Sequence, residues 1–156
     1  MTTRKRFVAR LALAAAGMLA FFAAPAAEAA GSARANQVLA ISNKHRAAAK
    51  ARPLVLDPAL CKLAEIRARE LERKFSHKRP NGRSCFSVFR ENGVRRRTMG
   101  ENIAAGYRNP WSVMNGWMRS KGHRANILER KYRKLGVGCH WSPRRRRLYW
   151  VQLFSN

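Results

Sequence analysis

The spacing of apolar residues divides the chain into a helical first part and an extended tail. From Asn36 to Lys50, Val38, Ile41, Ser42 and His45 recur at helical spacing among alanines and lysines, which predicts a helix. Pro53 in "ARPLVLDPAL" ends it, and Asp57 before Pro58 offers an N-cap with proline at the first helical position. In the helix predicted next, Leu60, Leu63, Ala64, Ala68, Leu71 and Phe75 form one apolar stripe, with Lys62, Glu65, Arg69, Glu72 and Arg73 outside it. "SHKRPNGRS" reads as a turn, and Phe86, Val88 and Phe89 predict a helical turn or two before Gly93.

Residues 99–105 are expected to form a short strand entering a turn at Gly106. Asn109 before Pro110 repeats the cap-and-proline start, and Val113, Met114, Trp117 and Met118 make an apolar helical face. Gly122 is expected to close or kink that helix, and Arg124 to Arg130 to begin a further short one. The tail changes period: "LGVGCHW" and "LYWVQLF" are β-branched and aromatic runs around "SPRRRR", which predicts a hairpin with a basic connection. Helices first and strands last, without βαβ alternation, predict an α+β fold.

A chain of 156 residues fits one domain with a real core. Its first thirty residues read as something else. Arg4, Lys5, Arg6 and Arg10 precede an apolar stretch from Leu11 to Ala24, and Ala-x-Ala choices follow around Ala26 and Ala29, the pattern of a cleaved secretory signal over residues 1–30. The stretch is shorter than the roughly 18 to 20 residues a spanning helix needs, so no anchor is expected after cleavage. Residues 31–35 read as a short flexible leader, and 36–156 as the domain.

Charge adds a question of partners. The chain carries 33 Lys and Arg against 8 Asp and Glu, a net +25. Without Arg4, Lys5, Arg6, Arg10 and Glu28 the mature chain keeps about +22. Either this surface binds polyanions with release of counterions, or it is a solvated face adapted to solubility or milieu. Export makes anionic cell-wall polymers, glycans or lipid headgroups the expected partners, with no specific nucleic acid. Cys61, Cys85 and Cys139 allow at most one intramolecular disulfide, the pair left open, and their spacing resembles no zinc motif.

The candidate chemistry is sparse. His45, His77, His123 and His140 are each readable as a bonded imidazole at an element end. His77, His123 and Glu101, in contrast, sit in glycine-punctuated segments at element boundaries, and two imidazoles with one carboxylate suit zinc or proton transfer. Glu101 is the sole acid between Glu91 and Glu129, and follows Arg95 to Arg97. Ser120 lies three residues before His123, which raises serine nucleophily, though no GxSxG elbow is present. Trp111 and Trp141 could stack on sugars, whereas Trp117 and Trp150 read as core.

"FSHKRPNG", "GENIAAGY", "WMRSKGHRANIL", "KLGVGC" and "YWVQLF" occur in the order and about the spacing of the CAP superfamily, the SCP-like or PR-1-like extracellular domain. The chain resembles its compact bacterial branch over residues 36–155. The resemblance implies a three-layer α/β/α sandwich with a small, mostly antiparallel central sheet and a cleft where histidines and acids converge, holding Zn2+ or another divalent cation in several members. By motif, His77 and His123 would be the metal histidines, and Glu101 a ligand or the group orienting one. Ser120 stands where many eukaryotic members carry a second glutamate, leaving a weaker anionic environment, a pattern that bacterial relatives share.

The expected function is therefore that of a secreted, extracellular or envelope, monomeric binding module for anionic polymers, glycans or lipids, with Arg95 to Arg97, Arg130 to Lys134 and Arg144 to Arg147 as its basic loops. The competing expectation is a metal-assisted hydrolase acting on peptides or wall material, with Glu101 as general base and Ser120 beside it. A third is a purely structural polar cluster tying two loops together.

Overall fold

The computed structural model describes residues 19–156. Most of the signal expected over residues 1–30 lies outside the described residues. The elements run α1 (Leu19–Ala48), β1 (Val55–Leu56), α2 (Pro58–Arg73), α3 (Ser87–Glu91), β2 (Met99–Ala105), α4 (Pro110–Arg119), α5 (Lys121–Leu128), β3 (Lys134–Ser142) and β4 (Arg147–Ser155). The strands form one sheet in the order β1-β3-β4-β2, antiparallel except for β1 beside β3.

The capping signals act as expected. The Asp57 side chain accepts from the amides of Ala59 and Leu60 at the start of α2, and Asn109 and Ser112 form a reciprocal capping box on α4. Gly106, at φ 89°, makes the turn after β2.

Period-two alternation on the strands divides the interior into two layers. Along β4, Trp150 and Phe154 face α1, α4 and α5, where Val38, Val113, Met114, Trp117 and Ile127 meet them. Tyr149, Val151 and Leu153 face α2 and α3, against Leu60, Leu63, Ala68, Val88 and Phe89. This is the three-layer α/β/α sandwich with a small, mostly antiparallel sheet. On the α2 side of β3 stand Gly136 and Gly138, where an added Cβ would collide with the backbone of Leu60 and Ala64. Their missing side chains let α2 lie directly on the sheet.

Several expectations are corrected. Residues 31–35 are helical and belong to α1, with Ala35 buried, so they form no flexible leader in this structure. Phe75 lies beyond the end of α2 and is 55% exposed, because the helix stops at Arg73 and its stripe with it. Gly122 lies inside α5; the break between α4 and α5 falls at Ser120, whose extended backbone (φ −88°, ψ 121°) ends one helix and starts the next. Gly100, within the expected strand β2, lies against the Tyr132 ring.

The two-residue strand β1 carries no periodic signal and is not expected from the sequence. It is held by its ladder to β3 and by Asn43, whose amide donates to the Leu54 carbonyl at 2.9 Å and whose oxygen accepts from the Leu54 amide at 2.8 Å. Buried Arg46 on α1 donates to the carbonyls of Arg52, Ile127, Glu129 and Tyr132, closing the end of that layer.

Gly138→Ala is expected to destabilise the fold by about 3 kcal/mol or more, because neither the Ala64 backbone nor β3 can retreat without breaking its own hydrogen bonds. Denaturant unfolding checks this. Wild-type stability in Gly138→Ala would show that α2 does not rest on the sheet at this point.

Candidate functional site

β2 is an edge strand, and its residues face alternately into the two layers. Glu101 points toward α2 and Asn102 toward α4 and α5. The open edge is covered by side chains where a further strand would otherwise pair. Asn126 donates to the Glu101 carbonyl at 3.2 Å and Trp117 Nε1 to the Ile103 carbonyl at 3.2 Å. Asn102 is bonded to the His123 carbonyl, to Gln152 and to Asn126.

On the other face, the Glu101 side chain is 1% exposed and fully engaged. Arg67 Nε donates to its Oε2 at 2.8 Å, Arg67 Nη2 to its Oε1 at 3.3 Å, and His77 Nδ1 lies 2.8 Å from Oε1. A carboxylate here can only accept, so Nδ1 carries the hydrogen and Nε2 of the half-exposed His77 ring is the free nitrogen. Arg67, itself wholly buried, also donates to Glu70 and to the Ser76 carbonyl, which holds the segment leading to His77. Arg79 continues the chain by binding Glu70 and Glu91.

The two histidines are set apart electrostatically. The bond to Glu101 raises the pKa of His77 above its ordinary value, against the opposing effect of burial. Burial lowers that of His123, and the positive charge of His77 lowers it further. The charge on one ring is therefore felt at the other. Contact between protonated His77 and Glu101 stabilises the fold at pH below the ordinary imidazole value and fades as pH rises through the elevated one.

Cys85 completes the enclosed side of this cluster. Its sulfur, a His77 nitrogen and a Glu101 oxygen lie within 4.8 Å of one another. Burial, followed by the charge of Glu101, pushes the thiol up to about 12, so it is neutral at physiological pH. A cavity of about 450 Å3 opens here, lined by His77, Lys78, Cys85, Phe86, Glu101 and Asn126 among others. The three cysteines are free thiols.

The structure thus joins His77 to Glu101 directly, whereas His123 is tied by its carbonyl to Asn102 on the other face of β2 and does not line the cavity. Ser120 is partly buried at the α4–α5 junction, where its side chain makes no capping bond to α5. It lines no part of the cavity. Arg67, Cys85 and Asn126 are members of the site that the sequence reading does not place there. Arg67 falls on the buried face of α2, and that position is the available signal, since a cation on a core stripe requires a buried partner.

Comparison with known proteins agrees with this architecture. Residues 39–154 match the Cysteine-rich secretory protein family, CAP. The chain is 36% identical over 109 residues to the uncharacterised protein YkwD of Bacillus subtilis (strain 168), covering 69% of this chain and 42% of that one. An extracellular SCP-domain protein of Bacillus anthracis str. Ames superposes with a TM-score of 0.73 at 24% identity, over 80% of this chain and 41% of that one. An outer surface protein of Borrelia burgdorferi gives a TM-score of 0.68 at 20% identity, over 76% of this chain and 88% of that one. The chain thus spans about two fifths of the length of the two Bacillus proteins.

Arg67→Met is expected to cost about 3 to 5 kcal/mol, since it strands the Glu101 carboxylate in the interior, whereas Arg67→Met with Glu101→Leu should cost less than the two changes summed. Equal or greater loss in the double variant would show that the pair is not the interaction that matters. In an NMR pH titration His77 should titrate above 6.5 and His123 below it, and Glu101→Gln should lower the His77 midpoint.

Proposed function

Because the chain belongs to the cysteine-rich secretory protein (CAP) family, we propose that it acts outside the cell or at its surface as a binding module for anionic polymers. The observation that carries this reading is how the few acids are used. Asp57, Glu70, Glu72, Glu91 and Glu101 all pair with cations or histidines within the fold. Arg95, Arg97, Lys131, Arg145, Arg146 and Arg147 are exposed and make no ion pair among the described residues. The basic loops divide accordingly: Arg96 and Lys134 both bind Asp57, and Arg133 folds back onto the carbonyls of Arg130 and Tyr132. What remains is a surface predominantly of one sign, with Glu65 and Glu129 as its acids outside these pairs, suited to phosphate, sulfate or carboxylate polymers.

Export to that location is part of the proposal. It rests on the N-terminal pattern and on the extracellular or outer-surface description of the structural neighbours. No helix among the described residues is long and apolar enough to cross a membrane.

Use of Glu101 as a hydrolytic base finds less support, because Arg67 and His77 already occupy the carboxylate. A divalent cation such as zinc fits one donor set and not another. His77, Cys85 and Glu101 lie close together, but Arg67 already holds both carboxylate oxygens of Glu101 and the Cys85 thiol would have to lose its proton to an arriving cation, which leaves the His77 imidazole as the donor ready to bind. The free Nε2 of His77 is the donor that remains, with His123 the candidate second imidazole, and Glu101 fixes the His77 tautomer as a carboxylate behind a metal-bound histidine does. An ion there would supply a Lewis acid. With two protein donors and no carboxylate ligand, its affinity should be low.

Charge-driven binding has a clear signature. Titration of the full chain with polyphosphate should show affinity falling about tenfold or more between 50 and 200 mM salt. It should survive both chelator and the His77→Ala/His123→Ala change. Salt-independent binding, or binding lost in that double variant, would overturn the proposal.

A further inference from the structure

We propose that the groove between the turn after β2 and the β3–β4 hairpin is a subsite for a carboxylate-bearing sugar of an acidic polysaccharide. The inference rests on the anionic-polymer reading and gives it a place and a chemistry. The groove has a volume of about 720 Å3 and is lined by Tyr107, Arg108, Trp141, Arg146, Arg147 and Leu148, together with Gly106.

It is separate from the histidine cluster. Leu148 shares the sheet face of Trp150, opposite to that of Glu101, and Gly106 lies five residues beyond Glu101, roughly 16 Å along the strand direction.

Three features fit a charged sugar. First, the indole of Trp141 on β3 is 51% exposed, and so is 36% of Tyr107, whose ring leans on Gly116 of α4. A sugar ring presents an apolar face of C–H groups that such aromatic surfaces accept. Second, Arg108, Arg146 and Arg147 have no acidic partner among the described residues. Their planar forks suit bidentate contact with carboxylate. Third, the walls are fixed before any ligand arrives. The Gly106 amide donates to the Leu148 carbonyl at 2.9 Å and Trp150 Nε1 to the Tyr107 carbonyl at 2.8 Å. The Ser142 hydroxyl holds the hairpin by donating to Glu72 at 2.7 Å and accepting from the Arg145 amide at 3.0 Å.

Arg146 adds a distinct point. Its φ of 51° is left-handed, the region that glycine or asparagine fills at least cost. An arginine at this position brings a third guanidinium to the rim against the preference of its own backbone, so its charge has a use that local structure does not explain.

Aromatic rings beside arginines also suit single-stranded nucleic acid. The expectation of an extracellular setting favours the sugar, and nucleic acid becomes an outcome of the test. The full chain is titrated with polygalacturonate, polyphosphate and single-stranded DNA, as wild type, Trp141→Ala, Arg146→Gly and Arg95→Ala/Arg97→Ala. Trp141→Ala removes no charge and should weaken polygalacturonate binding about tenfold while leaving polyphosphate binding unchanged. Arg146→Gly should retain or gain thermal stability and weaken polygalacturonate binding more than the two changes at Arg95 and Arg97 together. If wild type binds neither polyphosphate nor polygalacturonate, the anionic-polymer reading falls and this subsite with it. Should both bind, and Trp141→Ala and Arg146→Gly weaken polygalacturonate no more than the Arg95/Arg97 variant, the groove is refuted and the general reading stands. Tighter, Trp141-dependent binding of DNA would replace the sugar by nucleic acid.

Discussion

The buried pair between Arg67 and Glu101 is the constraint around which the rest of the domain is arranged. Two ions taken out of water together forfeit more solvation than their mutual attraction returns unless the remaining donors and acceptors are also met. Here they are met: Arg67 reaches Glu101, Glu70 and the Ser76 carbonyl, and Glu101 receives His77 as well. The pairing requires α2 to lie directly on the sheet, which Gly136 and Gly138 allow. It also requires the segment after α2 to fold back over β2, which the Ser76 carbonyl secures. Orientation of His77 is thus a consequence of core packing, transmitted through one guanidinium.

The opposite face of the same strand repeats the arrangement without charge. Asn102 and Gln152 are wholly buried and bonded to each other, and their network extends to Asn126, the His123 carbonyl and Ser42. Neutral amides suffice there because the groups that Asn102 and Gln152 bond to are amide, carbonyl, hydroxyl and thioether, none of them charged. Successive residues of β2 therefore anchor two networks, one ionic and one amide, and each carries one histidine: His77 through a side-chain bond, His123 through its carbonyl. The strand can serve both networks because it lies at the sheet edge, with α2 on one face and α4 and α5 on the other.

Much of this is legible in sequence, and what is hidden follows a rule. The capped starts at Asp57 and Asn109, the stripe of α2, the terminal hairpin and the meeting of His77 with Glu101 are readable, because caps, periodicity and ordered motifs are local signals or family ones. Arg67 is not, since a pattern of apolar and polar positions counts a buried arginine as surface. The two-residue β1 has no period to detect, and the bounds of α1 and the α4–α5 break depend on tertiary packing. Gly136 and Gly138 look like weak points in a strand, and their purpose appears only when a helix backbone is found against them. Trp117 reads as core; its indole also satisfies an edge carbonyl, a role that burial alone does not announce.

The charge of the chain follows from the same economy of acids. A fold with few carboxylates sets most of them against cations, and Asp57, Glu70, Glu91 and Glu101 stand against Arg96, Arg79 and Arg67, while wholly buried Arg46 is met by carbonyls. Bonds from Lys134, the Leu60 amide and Arg96 hold Asp57 below the usual carboxylate range although its burial opposes this, and Arg79 chiefly holds Glu91 down at about 2. These carboxylates are thus committed to the interior or its rim, and they cannot also balance the outer arginines. Solubility alone would be served by any distribution of that excess. Three guanidiniums without an acidic partner among the described residues, beside two exposed aromatic rings on walls already fixed by hydrogen bonds, are a more particular arrangement than repulsion between like charges would produce, and this is what the proposed subsite adds to a merely basic surface.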